Sequence, residues 1–138
     1  MGAGTKIKTS ILLTVAFVAY VLHVIFAGLA ARGINEKLFP QPIGNTSDDF
    51  KMLITPVTST FTIWIVIYVF QFAWMIFAYL SLCSSGSASN LLSGKFFMCF
   101  TVSTVFVTIW LFTWTRKEAI TSLVIIILHQ VFIELAFG

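Results

Sequence analysis

Residues 54–77 read ITPVTSTFTIWIVIYVFQFAWMIF: Pro56 stands among hydroxyl side chains, and an apolar run follows that holds Trp64, Tyr68, Trp74 and four Phe, broken by one amide, Gln71. From Phe61 to Cys83 the run carries no charge. That is close to the roughly 20 residues a helix needs to cross about 30 Å of hydrocarbon. Its β-branched residues favour strand in water, but backbone polar groups in lipid must be bonded within their own segment, so the run is predicted to be a membrane-spanning helix.

The rest of the chain agrees. Of 138 residues, 59% are apolar and only 9% charged, and the mean hydropathy is +1.00. A water-soluble fold of this size needs far more polar surface. Four segments reach spanning length, at about 11–31, 61–83, 96–114 and 119–137. The composition therefore predicts an integral, multi-pass membrane protein: an all-α bundle of four spans forming a single membrane domain over residues 1–138. The net charge of +3 does not point to nucleic acid, because the Lys and Arg residues sit at the ends of apolar runs, where loop charges of membrane proteins belong.

The connections differ in kind. Residues 32–60 form a long, mixed-charge loop with Pro40, Pro42 and Pro56, read as an ordered loop at one interface and not as a helix. Residues 84–95 are a Ser/Gly linker, and 115–118 a tight turn that makes segments three and four antiparallel neighbours. Segment one follows Lys6 and Lys8 and contains Gly28-Leu29-Ala30, yet its apolar core is too long for a cleaved signal peptide, and Lys6 occupies the position where a myristoylation signal needs Ser or Thr. Lys6, Lys8 and Lys95 collect on one side, with Arg32, Lys37, Lys51, Arg116 and Lys117 on the other. Positive-inside counting places the amino terminus away from the cytoplasm; the sequon Asn45-Thr46-Ser47 on the more positive side argues the reverse if it is used. Cys83 and Cys99 lie near facing ends of two segments and read as ordinary buried thiols. The fourth segment ends without a polar or aromatic flank, as expected of a chain that stops early relative to a longer ancestor.

On a helix, Phe61, Trp64, Tyr68, Gln71 and Met75 share a stripe, and on the third segment so do Ser103, Val107, Trp110 and Trp114. A lipid-facing surface has no use for an amide beside an indole and a phenol, whereas a protein-lined cavity offers the amide a partner. Flat rings with one or two polar handles suit a hydrophobic planar or polycyclic guest. The competing assignment is an interfacial aromatic belt, which fits Tyr79 and Trp114 near segment ends and leaves Trp64 open to either. Ionisable residues within the spans are His23, His129 and Glu134. Each is a functional candidate because charge in hydrocarbon is costly. Both histidines can instead stay neutral and bond a neighbouring helix, Gln130 can pair with Glu134, and Glu134 can reach water at its segment's end. There is no P-loop, HExxH, CxxC or GxSxG, no carboxylate pair spaced for acid–base work and no arginine ladder. Neither an enzyme, a cofactor, a metal site, ion-coupled transport nor voltage sensing is expected.

The stretch ITPVTSTFTIWIVIY resembles the loop-to-helix-two signature of the TspO/translocator protein family, Pro-x-Gly-aromatic-x-Phe-x-x-Trp-x-x-x-Tyr. Pro56, Phe61, Trp64 and Tyr68 fall in register; Thr58 stands for the glycine and Ser59 for the aromatic. FVTIWLFTW is similar to the third-helix Asn-x-x-Trp signature, with Trp110 matching and Val107 in the asparagine position. LAARGINEKLFPQPIGNTSDDF looks like the first loop, and EAITSLVIII like the start of helix four with Ser122 in an often acidic position. The resemblance implies a five-helix bundle lacking its last helix, with one cavity wall open unless a partner helix or a second copy fills it. It also implies binding of a porphyrin, sterol or lipid below the first loop, in a transport or sensing role, with Trp64 and Trp110 at the cavity wall. The family's sterol-binding segment lies in helix five, and the Val107 and Ser59 departures remove a hydrogen-bond donor and a ring. The residues proposed to touch the guest are Pro56, Phe61, Trp64, Tyr68, Gln71, Val107, Trp110 and Trp114. The alternative is a non-binding structural or assembly subunit of a membrane complex.

Overall fold

The computed structural model describes residues 3–50, 62–83 and 93–137, and these are all-helical with no strand among them. Four long helices, α1 (Ala3–Arg32), α3 (Ile63–Cys83), α4 (Gly94–Thr115) and α5 (Ala119–Phe137), are long and apolar enough to cross a membrane, and a short α2 (Ile43–Asp49) lies between the first two. α1 starts at Ala3, well before the expected Ile11, because Lys6 and Lys8 are good helix formers whose stems can carry their charges toward water. Ser93 caps α4, its hydroxyl accepting from the Phe96 N–H at 3.3 Å.

α2 corrects the reading of residues 32–60 as helix-free. IGNTSDD is a poor helical sequence; burial and the preceding chain make it helical. Pro42 sits at its N-cap, and Ile43, Gly44, Thr46 and Ser47 are buried. α1 ends in a left-handed turn at Gly33 (φ 61°), with Ile34 N–H donating back to the Leu29 carbonyl at 3.1 Å. A Cβ on Gly33 would lie 2.9 Å from Pro42 Cδ, so glycine lets the loop fold back over the bundle. α4 ends in the same motif, with Lys117 in the left-handed position (φ 63°) and Glu118 N–H donating to the Thr113 carbonyl at 3.0 Å.

α4 is the central helix. It packs along α5 on one side and α1 on the other, and the 115–118 turn makes α4 and α5 antiparallel neighbours as the sequence predicts. Among the described residues α5 packs on α4 alone, through Ser103 and His129, Ser122 and Thr113, and the stacked rings of Phe106 and Phe132. α3 approaches α1, but its backbone stays away from α4. Rings cross that gap: Trp64 to Trp110 at the end near α2, and Trp74 to Phe96, Phe97 and Phe100 at the other.

Two cores result. Far from α2, Leu13, Ala16 and Tyr20 of α1 meet Met75 and Ala78 of α3 and Phe97 and Phe100 of α4. Near α2, the fully buried Phe39 packs with Ala30, Ile43 and Leu111, and its ring stacks on Phe112 at 4.8 Å. The first segment thus contributes to both cores. Cys83 is exposed and Cys99 half-buried, both free, so the expectation of two buried thiols holds for neither. Both lie near helix ends, where the bundle thins.

α2 is tied down at its far end by Lys117, whose ammonium lies 2.9 Å from Asp49 Oδ2, while Gln41 Nε2 donates to the same oxygen at 3.2 Å and to Thr46 Oγ1 at 2.7 Å. The pair is about half exposed on both sides (53% and 48%), so it contributes little beside the Phe39 core. The bond from Lys117 and then that from Gln41 hold the Asp49 carboxyl below its ordinary range. A depressed folded pKa gives stabilisation that is present above the unfolded value and lost as pH falls through the folded one. Hydrogen-exchange protection at residues 43–49, corrected for the intrinsic pH dependence of amide exchange, should therefore be flat around neutrality and fall below about pH 4. Asp49→Asn should abolish that step; an acid step that survives it would place the sensitivity elsewhere.

Candidate functional site

Between α1, α3 and α4, under α2, lies a cavity of about 820 Å³. α1 contributes a stripe at helical spacing, Tyr20, His23, Val24, Ala27, Gly28 and Ala31, with Arg32 at its end. Small residues at 27, 28 and 31 leave room where larger ones would close the helix pair. Nothing lies within 4 Å of where a Gly28 Cβ would be. Across from it, Ile65 and Val69 of α3 line the cavity while staying 62% and 63% exposed, so this wall is open toward the surrounding acyl chains. Trp64 and Tyr68 form the α3 wall, Val107, Trp110 and Leu111 the α4 wall, and Pro42 to Asn45 the cover. By helical rise, Tyr20 and Arg32 lie about 18 Å apart, which sets the depth.

One polar cluster sits in this apolar space. His23, 3% exposed, reaches Thr108 Oγ1 with Nδ1 at 3.0 Å and the Tyr68 hydroxyl with Nε2 at 3.1 Å, and Tyr20 donates its hydroxyl to the Tyr68 carbonyl at 2.7 Å. The hydrogens follow from counting. Thr108 Oγ1 lies 2.7 Å from the Thr104 carbonyl, which can only accept, so the single threonine hydrogen goes there. His23 Nδ1–H must then donate to Thr108. In the neutral ring Nε2 holds a lone pair, so Tyr68 donates to it. His23 is bonded through both ring nitrogens within the bundle, as the hydrogen-bonding alternative expects, and His129 is bonded to α4 through Nδ1, whose N–H donates to the Ser103 carbonyl at 3.0 Å. Gln130 donates to Glu134 at 2.7 Å on the outer face of α5.

A family model described as TSPO-like protein matches residues 10–136. The chain belongs to the TSPO-like protein family. No curated protein and no solved structure matches it. With four spanning helices, this TSPO-like protein is an integral, multi-pass membrane protein.

The TSPO-like protein distributes the residues singled out from its sequence unevenly. Trp64, Tyr68, Val107 and Trp110 come together on the cavity wall, the two indoles 6.4 Å apart and tilted by 31°. Pro56 and Phe61 lie outside the described residues, as do Thr58 and Ser59. Gln71, expected to touch the guest, is half-buried and is not among the residues that line the cavity, whereas its neighbour Phe72 is; less than one turn further along α3 the Trp74 ring packs on Phe100 of α4 at 5.5 Å. Trp114 also lies off the wall. It stacks on Trp110 at 5.7 Å and donates Nε1–H to the Ile43 carbonyl at 3.4 Å, buttressing the cover. Met75 is core, and Ser103 faces α5. What sequence reasoning missed is the α1 wall. Its signal was present, in that Tyr20, His23, Ala27, Gly28 and Ala31 repeat at helical spacing with small residues beneath two polar rings.

Proposed function

We propose that this protein binds a hydrophobic small molecule, a tetrapyrrole, sterol or lipid, in the cavity under α2, without turnover, in a transport or sensing role. The carrying observation is an intramembrane space of about 820 Å³, within the range of small-molecule sites, walled by two indoles and a phenol and containing one hydrogen-bonded polar cluster. The guest's source is the membrane itself, since the exposed Ile65 and Val69 border the cavity. Arg32 at the mouth has no ion-pair partner among the described residues and suits a guest with an acidic edge. Nucleic acid has no place in this reading.

Titrating the detergent-solubilised protein with protoporphyrin while following tryptophan fluorescence tests it. Saturable quenching is expected, weakened roughly tenfold in Trp64→Ala, because an aromatic wall contributes on the order of 1 kcal/mol beyond its area. Quenching that never saturates, or that ignores Trp64, would remove the basis for the reading. The exposed Gln130–Glu134 pair favours a second role for α5, as the docking face of a partner helix or a second copy, since such polar pairs join helices in lipid. A monomeric mass in several detergents, unchanged by Gln130→Leu, would count against that role.

A further inference from the structure

We infer that the cavity selects guests that carry a hydrogen-bond donor, a hydroxyl or an N–H, and that Tyr68 is the specificity-determining residue, set in that role by His23. The inference rests on the binding reading above and adds the chemical polarity of the guest. The Tyr68 hydroxyl has one hydrogen, and His23 Nε2 takes it at 3.1 Å. What Tyr68 has left to offer is lone pairs only. His23 cannot reverse this polarity while neutral, because its Nδ1 hydrogen is held by Thr108, whose own hydrogen is held by the Thr104 carbonyl at 2.7 Å. A second proton on the ring would place a charge among apolar walls. Tyr20 adds no donor either, since its hydrogen is committed to the Tyr68 carbonyl at 2.7 Å.

The other polar lining groups among the described residues, Arg32, Asn45, Thr62 and the indole N–H donors of Trp64 and Trp110, sit nearer α2: Trp64 is one turn before Tyr68 on α3, and Trp110 packs against the core beside α2. At the level of Tyr20, His23 and Tyr68 the described wall is thus acceptor-only. A guest that presents an ether or ketone oxygen there puts lone pairs against lone pairs with no hydrogen between them. A guest that presents O–H or N–H completes the chain Thr108–His23–Tyr68–guest. This discrimination resembles other buried sites built to pair with a donor, where the analogue lacking it leaves a polar group unmatched.

Binding of 1-pyrenemethanol and of its methyl ether, read as energy transfer from tryptophan to pyrene in detergent, decides the matter. The parent protein should bind the alcohol about tenfold more tightly than the ether. His23→Leu frees the Tyr68 hydrogen for the guest, so the ether should gain and the ratio should fall to about one. The double variant His23→Leu/Tyr68→Phe, which replaces both partners by apolar side chains and so leaves no lone pair stranded, should also show a ratio of about one. A His23 that acted only on packing would weaken both probes equally and keep the parent ratio. Equal binding of the two probes by the parent, or a tenfold ratio that persists in the double variant, overturns the inference while leaving cavity binding intact. Saturable binding of neither probe overturns the binding reading and the inference together.

Discussion

Phe39→Ala is expected to lower the stability of the protein by about 3–5 kcal/mol, the range for truncating a fully buried phenylalanine. Phe39 is 0% exposed, stacks on Phe112 at 4.8 Å and packs edge-on against Phe26 at 6.5 Å, so its removal leaves a void bounded by three helices. Nothing nearby can fill it cheaply: Ala30 is too short, and Ile43 is fixed by its place at the start of α2. The loop that carries Phe39 faces water on its outer side, so the loss includes the hydrophobic term as well as packing. Denaturation in mixed micelles, followed by helical circular dichroism, reads this effect. A loss under about 1 kcal/mol would mean that α2 is held by its polar contacts instead. The Lys117–Asp49 and Gln41–Asp49 contacts are exposed, which is why the ring is expected to dominate.

Gly28→Phe is expected to reduce guest affinity by about ten- to a hundredfold while leaving the fold in place. Space is open where the new Cβ would go, and Gly28 lines the cavity, so a phenyl ring can enter the volume a guest would use. Overfilling a packed site costs about 1–3 kcal/mol, which sets the size of the loss. The same change replaces a mid-helix glycine and so improves local helix propensity by a fraction of a kcal/mol. Binding and stability should therefore move in opposite directions, an outcome that general damage cannot imitate. Protoporphyrin titration and thermal denaturation of the same sample give both numbers. Unchanged affinity would mean that the guest sits away from the α1 wall.

The four spans were legible because each is a run of apolar residues whose length matches the hydrocarbon thickness, and that constraint acts on one segment at a time. α2 was not legible. Ile43 and Thr46 become helical because the loop they belong to is pressed onto α1 and α4, and no local pattern announces that. The α3 and α4 walls were readable as stripes, since Trp64, Tyr68 and Trp110 are large enough to mark a face by themselves. A stripe fixes direction but not depth, which is how Gln71 and Trp114 shared the right faces and missed the cavity. The α1 wall rests on small residues, and Gly28 carries meaning only once the helix opposite it is known.

The α3–α4 gap has a mechanical consequence. Because indole and phenyl rings, not abutting backbones, hold these two helices apart, the calibre of the chamber is set by side-chain torsions. Rotating Trp64 and Trp110 about their own bonds would widen or narrow it without opening a single helical hydrogen bond. Such a chamber can fit guests of differing thickness at the cost of a rotamer change, while both helices stay where they are.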